Sequence, residues 1–188
     1  LEANFTRYTP SGGTRELKEA IVKRHAQDFA SDYKPEECLI TVGGKHAIFE
    51  AISALIENGD EVILPSPFWV SFQDIIHYAG GKAIHVEAAE SNNFCLSAKQ
   101  VEKAITPKTK LIIVNSPNNP TGAVVETLEM EKLLALAKKH DLILLSDECY
   151  CQFLYGDATP FSLGASGNRE NLVLVGSLSK TYSMTGWR

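Results

Sequence analysis

Leu172-Val-Leu-Val-Gly-Ser-Leu-Ser-Lys180-Thr-Tyr-Ser-Met-Thr-Gly-Trp-Arg188 closes the chain, and its reading decides the fold. Four apolar residues without polar alternation mark a strand buried on both faces. A lysine, two serines and an arginine follow at once. The pattern therefore sets an amine, two hydroxyls and a fixed cation at the end of a buried strand.

Two further runs upstream read the same way. Leu111-Ile-Ile-Val114 and Leu142-Ile-Leu-Leu145 are wholly apolar, and Glu61-Val-Ile-Leu64 and Lys82-Ala-Ile-His-Val86 are strands of mixed character. Cys38-Leu-Ile-Thr-Val42 reads as a short strand before Gly43-Gly44. Helical spacing predicts helices over about 14–30, 44–57, 70–78 and 127–139, with Thr14 as a cap. Ser97-Ala-Lys-Gln100 reads as a capping box opening a helix to about Ile105. Buried strands separated by helices imply an α/β fold with a mostly parallel sheet.

Composition excludes several classes. The 188 residues carry 18 basic and 23 acidic side chains, a net charge of −5, so no nucleic-acid surface is expected. No apolar stretch reaches the roughly 18 residues of a membrane helix. Cys38, Cys95, Cys149 and Cys151 show no metal or redox spacing and read as reduced thiols of a cytoplasmic protein, the last two on a strand facing one way. The five histidines are scattered, and no metal is expected.

In a parallel sheet, ligands bind beyond the carboxyl ends of the strands, and the unusual polar residues fall there. Gly43-Gly44-Lys45 can cradle an anion at a helix N-terminus, or be a tight turn. Ser66-Pro67-Phe68-Trp69 can hold an aromatic ring for stacking. Asn115-Ser-Pro-Asn-Asn119-Pro120-Thr-Gly122 can aim an amide inward, with Asn119-Pro120 a candidate cis bond. Ser146-Asp147-Glu148-Cys149-Tyr150 ends a buried strand in a carboxylate that needs a partner, or that caps the next segment. An amine for a Schiff base beside an anion clamp suits a carbonyl cofactor that carries a phosphate.

In this order, the motifs resemble the fold-type I aminotransferases, the aspartate-aminotransferase-like class, over nearly the whole chain. The resemblance implies pyridoxal 5′-phosphate bound to Lys180, which also moves the substrate proton. It implies Asp147 as partner of the ring nitrogen, Asn119 and Tyr150 as donors to the ring oxygen, and Trp69 stacked on the ring. Gly43, Gly44, Lys45, Ser177, Ser179 and Arg188 would hold the phosphate. Tyr8, in Arg7-Tyr8-Thr-Pro-Ser-Gly-Gly13, matches a tyrosine that reaches the phosphate of the other subunit, which implies a homodimer. Trp69, Asn119 and Lys45 fall at substrate-binding positions, and Lys45 resembles the lysine that reads a distal carboxylate in bacterial-type aspartate aminotransferases.

The resemblance also implies an incomplete large domain: residues 1–13 as a leading segment near a dimer interface, 14–188 as the α/β core, and no small domain. Such a piece is expected to turn over poorly and to expose apolar surface. Lyases, decarboxylases and synthases share these motifs, and some transcription regulators carry the same domain as an effector-binding module. Ser177-Leu-Ser-Lys180 also fits the Ser-x-x-Lys of penicillin-binding enzymes, but the accompanying Lys-Thr-Gly and Ser-Asp-Asn elements are absent.

Overall fold

The computed structural model describes residues 6–187. The apolar runs form strands β1 (Glu61–Ser66), β2 (Lys82–Glu87), β3 (Thr109–Asn115), β4 (Ile143–Asp147) and β5 (Leu172–Val175). They make one parallel sheet in the order β2-β1-β3-β4-β5. The direction of strand addition reverses between β1 and β3, the crevice position at which such sheets bind ligands.

Helices cover both faces, which is why the central strands carry no polar alternation. Along β3, Leu111 and Ile113 pack with α2 (Gly44–Leu55) and α3 (Ser71–Tyr78), through Ile48, Ile52, Phe72 and Ile76. Ile112 and Val114 face the other way, toward α4 (Ala98–Ala104) and α5 (Thr127–Lys139), through Val101, Met130, Leu133 and Ala137. Each of these four β3 side chains is at most 1% exposed. Burying one such side chain stabilises the fold by about 1.5–3 kcal/mol.

The leading helix, α1 (Arg15–Phe29), is capped by Thr14, whose hydroxyl accepts the Leu17 amide at 3.4 Å. Its apolar stripe is only half covered, since no residue of α1 is fully buried.

Three expectations need correction. Cys38–Val42 forms no strand: Ile40 N–H donates to the Gly12 carbonyl at 3.0 Å, and Leu39 and Val42 are 63% and 65% exposed. A strand is defined by a neighbour to pair with, and among the described residues this segment has none. The Ser97 capping box does not form; Glu129 of α5 accepts the Ala98 amide at 2.9 Å and caps α4 from outside. Cys149 and Cys151 lie in the turn after β4, not on a strand, although all four cysteines are free thiols.

Register sets the height of the site. Asn115 pairs with Asp147, and Asp147 with Val175, so three strands end level.

Candidate active site

Asp147 is the last residue of β4 and only 5% exposed. Its Oδ1 accepts the Cys149 amide at 3.1 Å. Burial pushes its carboxyl up, against the opposing pull of the Cys149 thiol and amide, and among the described residues no cation lies close enough to hold it down. A buried carboxylate with so little compensation is costly unless a positive group completes it.

The neighbouring strand ends converge on it. After β3, Asn115 donates from Nδ2 to the Asp147 carbonyl at 3.2 Å and accepts the Asn119 amide on Oδ1 at 2.7 Å. Asn118 stiffens the same loop, accepting from the Thr121 amide and hydroxyl at 3.2 and 2.9 Å. The Asn119-Pro120 bond is cis, as are Ser116-Pro117 and Ser66-Pro67.

Before α2, Gly43 takes a φ of 105°, a conformation open to glycine at no steric cost. The first amides of α2 lack intrahelical acceptors and face outward with the positive end of the helix dipole. Gly44 is where three segments meet. A Cβ there would lie 3.0 Å from Cys149 Sγ, 3.5 Å from Ser177 Cβ and 3.7 Å from the Gly176 carbonyl oxygen. The α2 start, the turn after β4 and the segment after β5 therefore share one cradle. Lys45 places Nζ 5.0 Å from the Trp69 ring centre, and Trp69 stands edge-on to Phe72.

Beyond β5, Ser177 caps α6 (Leu178–Thr181) by accepting the Ser179 amide at 3.1 Å. One turn presents Lys180, exposed, with Nζ 5.9 Å from the Tyr150 ring centre. Its charge also acts on the Cys149 thiol, which burial holds well above its ordinary range.

These contacts join Gly43, Gly44, Asp147, Tyr150, Ser177, Ser179 and Lys180, with Asn119 tied in through Asn115 and Lys45 paired with Trp69. Tyr8 is fully exposed and outside this set. Arg188 lies outside the described residues. The sequence reading missed Asn115 as the anchor of Asn119 and Cys149 as the side chain packed between Gly44 and Asp147. A polar residue ending an apolar run was the available signal for Asn115; the Cys149 contact had none.

The donor set fits pyridoxal phosphate. A primary amine suits its aldehyde, an uncompensated buried carboxyl its ring nitrogen, and a glycine cradle at a helix N-terminus its phosphate.

Residues 2–188 match the family described as aminotransferase class I and II. The chain is 42% identical over 190 residues to an aspartate aminotransferase of Geobacillus stearothermophilus, covering 100% of this chain and 48% of that protein. It is 42% identical over 188 residues to the aspartate/prephenate aminotransferase of Thermus thermophilus, again 100% and 48%. The solved aspartate aminotransferase from Thermus thermophilus with maleate superposes at a TM-score of 0.93 and 42% identity, over 97% of this chain and 47% of that one. The aromatic aminotransferase from Pyrococcus horikoshii OT3 superposes at 0.94 and 36% identity, over 100% and 50%. The chain spans about half the length of the curated relatives it matches.

Proposed function

The chain belongs to the class I and II aminotransferase family, and from that premise we propose that it is the cofactor-holding part of a pyridoxal-phosphate-dependent aminotransferase that moves an amino group from an amino acid to a 2-oxo acid. The observation that carries the reading is the joint presence of an exposed lysine beside Tyr150 and a buried carboxyl, Asp147, that has no cation of its own among the described residues.

When bound, pyridoxal phosphate supplies an aldehyde that exchanges amines and a protonated ring that accepts electron density from the substrate α-carbon. Asp147 holds the proton on the ring nitrogen. Burial suits this role, because a charge pair in low dielectric is stronger than one in water. Lys180 would hold the aldehyde carbon through Nζ and, once freed, would move the proton between the substrate α-carbon and that aldehyde carbon. Asn119 and Tyr150 donate to the ring oxygen, and Trp69 covers the ring. Gly43, Gly44, Lys45, Ser177, Ser179 and Arg188 receive the phosphate.

Lys45 beside Trp69 supports a substrate with a second carboxylate, of the aspartate and 2-oxoglutarate type. Tyr8, exposed ahead of α1, suits a homodimer in which it reaches the partner's phosphate. Four free thiols suit the cytoplasm. On this reading the 188 residues alone turn over poorly.

Borohydride reduction of the full-length protein with pyridoxal phosphate tests the reading. The expected result is one pyridoxyl group on Lys180 by peptide mass spectrometry. Label scattered over surface lysines, or none, overturns it. A new amino acid plus a 2-oxo acid from aspartate and 2-oxoglutarate separates transfer from lyase or synthase chemistry.

A further inference from the structure

Glu148 follows Asp147 directly and turns to the opposite side of the sheet, as alternation along a strand requires. Its carboxyl is 6% exposed, and Oε1 accepts the Ser146 hydroxyl at 3.0 Å and the Leu163 amide at 3.2 Å. The Ser162 hydroxyl, which accepts the Gly164 amide at 3.0 Å, lies 3.3 Å from His25 Nε2, and His25 Nδ1 lies 2.6 Å from the Ser31 hydroxyl. The packing is tight: a methyl on Gly164 would stand 2.7 Å from His25 Cε1 and 3.0 Å from Tyr33 Cε2. A chain of polar groups thus runs from α1 through a 3₁₀ turn, Leu163–Ser166, to the end of β4.

Burying a carboxyl among hydroxyls and an amide, with no cation beside it among the described residues, costs stability that an apolar side chain of the same size does not. Its place here calls for another reason, and the residue before it supplies one. We propose that Glu148, braced by Ser146, Ser162 and the Leu163 amide, is a positioning residue whose charge sets how strongly Asp147 holds a cationic ring. This rests on the reading of Asp147 as partner of the ring nitrogen.

Burial pushes the Glu148 carboxyl up to about 7, opposed by Ser162, Ser146 and the Leu163 amide and assisted slightly by the charge of Asp147. Below that value Glu148 is neutral. Above it, a second negative charge stands back to back with Asp147, and a cation beside Asp147 is bound more tightly. The linkage is reciprocal: a cation seated on Asp147 favours loss of the Glu148 proton. A cavity of about 320 Å³ beside it is lined in part by Glu148, Ser116, Thr127 and Thr159.

Other charges around Glu148 do not cancel it. Cys151 shares its turn, and burial holds that thiol up at about 11, so it stays neutral. Burial pushes His25 down, which keeps it neutral, with Asp28 beyond it. Tyr33, stacked under Arg169, is pushed up by burial. The Arg169 charge is taken up by Asp32 and Glu37. Glu126 and Asp157 line the cavity and add negative charge.

The test compares pyridoxal-phosphate affinity of the full-length protein and its Glu148→Gln variant from about pH 5.5 to 8.5. Glutamine keeps the size and an acceptor oxygen but cannot ionise. The wild-type to variant affinity ratio is expected to rise on the order of tenfold, centred near neutrality. A purely structural role shifts affinity equally at every pH, and a flat ratio overturns the proposal. The apoprotein gives a reading free of the cofactor. The ¹³C-carboxyl resonance of Asp147 should show an inflection where Glu148 titrates, absent in Glu148→Gln and moved to higher pH in Ser162→Ala, which removes one donor. An Asp147 resonance blind to Glu148 overturns the proposal. Coupling in the apoprotein with no cofactor bound at any pH sustains the link between the two acids and overturns the cofactor reading instead.

Discussion

Gly44→Ala sets two terms of similar size against each other. The new methyl meets Cys149 Sγ at 3.0 Å, while Ser177 Cβ at 3.5 Å and the Gly176 oxygen at 3.7 Å are at ordinary contact distance. The sulfur alone is crowded, and overpacking of this kind costs about 1–3 kcal/mol. Gly44 is the first residue of α2 and has no positive φ. Alanine there stabilises by about 0.4–1 kcal/mol, by restricting the unfolded chain. The expected net loss is about 1 kcal/mol. The larger effect belongs to the site. The Cys149 side chain is what must yield, and its amide is hydrogen-bonded to Asp147 Oδ1. Cofactor affinity should fall on the order of tenfold, the factor carried by about 1.4 kcal/mol. A double-mutant cycle isolates the cause: Cys149→Ala removes the sulfur, so Gly44→Ala in that background should be stabilising or neutral, a coupling of about 1–2 kcal/mol. Urea unfolding and pyridoxal-phosphate titration of the four proteins measure both quantities. Equal damage from Gly44→Ala with and without the Cys149 sulfur refutes the reasoning.

Other expectations follow from the same geometry. Lys180→Ala should abolish borohydride labelling and transamination while cofactor still binds non-covalently; a label that persists at another lysine removes Lys180 from its role. Asp147→Ala should weaken cofactor retention and slow α-proton removal by orders of magnitude, followed by ²H exchange at the substrate α-carbon; an unchanged rate rejects Asp147 as the ring partner. Glu148 has a folded-state pKa raised from 4.5 to about 7, so its contribution to stability is full below 4.5 and is lost as pH rises through about 7. Glu148→Gln should therefore match wild type at low pH and exceed it above neutrality by up to about 3 kcal/mol in urea unfolding. A difference independent of pH contradicts that sign.

Local pattern sufficed where burial is two-sided or where a helix carries its own period. The runs 111–114 and 172–175 lie within or coincide with β3 and β5, and α5 spans the residues that helical spacing marks. Pattern failed where a distant residue decides. Ser97 has cap chemistry, but Glu129, which lies 31 residues beyond Ala98, takes its place. Cys38–Val42 has strand composition, but pairing is not a local property. At the site, Asp147 was legible because a carboxylate ending an apolar run demands a partner. The same logic applied to Glu148 one residue on, yet its partners Ser162, Leu163 and, beyond them, His25 lie in stretches with no pattern to connect them.

Adjacent acids at a strand end make register the decisive quantity. Successive side chains point to opposite faces, so a slip of one residue in β4 would exchange Asp147 and Glu148. Glu148 would then take the place of Asp147 beside the Cys149 amide, and Asp147 would enter the pocket of Ser162 and His25, one methylene too short to reproduce the same contacts. The slip is opposed on both sides of the strand. Leu144 and Leu145 would trade cores, each now 0% exposed on its own face. The Asn115↔Asp147 pairing would be lost, and with it the anchor of Asn119. The same slip would set Ser146 in the place of the fully buried Leu145, forfeiting apolar burial worth about 1.5–3 kcal/mol. The change from Leu145 to Ser146 at the end of β4 thus does more than bound the core: it selects which of two neighbouring carboxyls lies beside Cys149 and which is braced behind it.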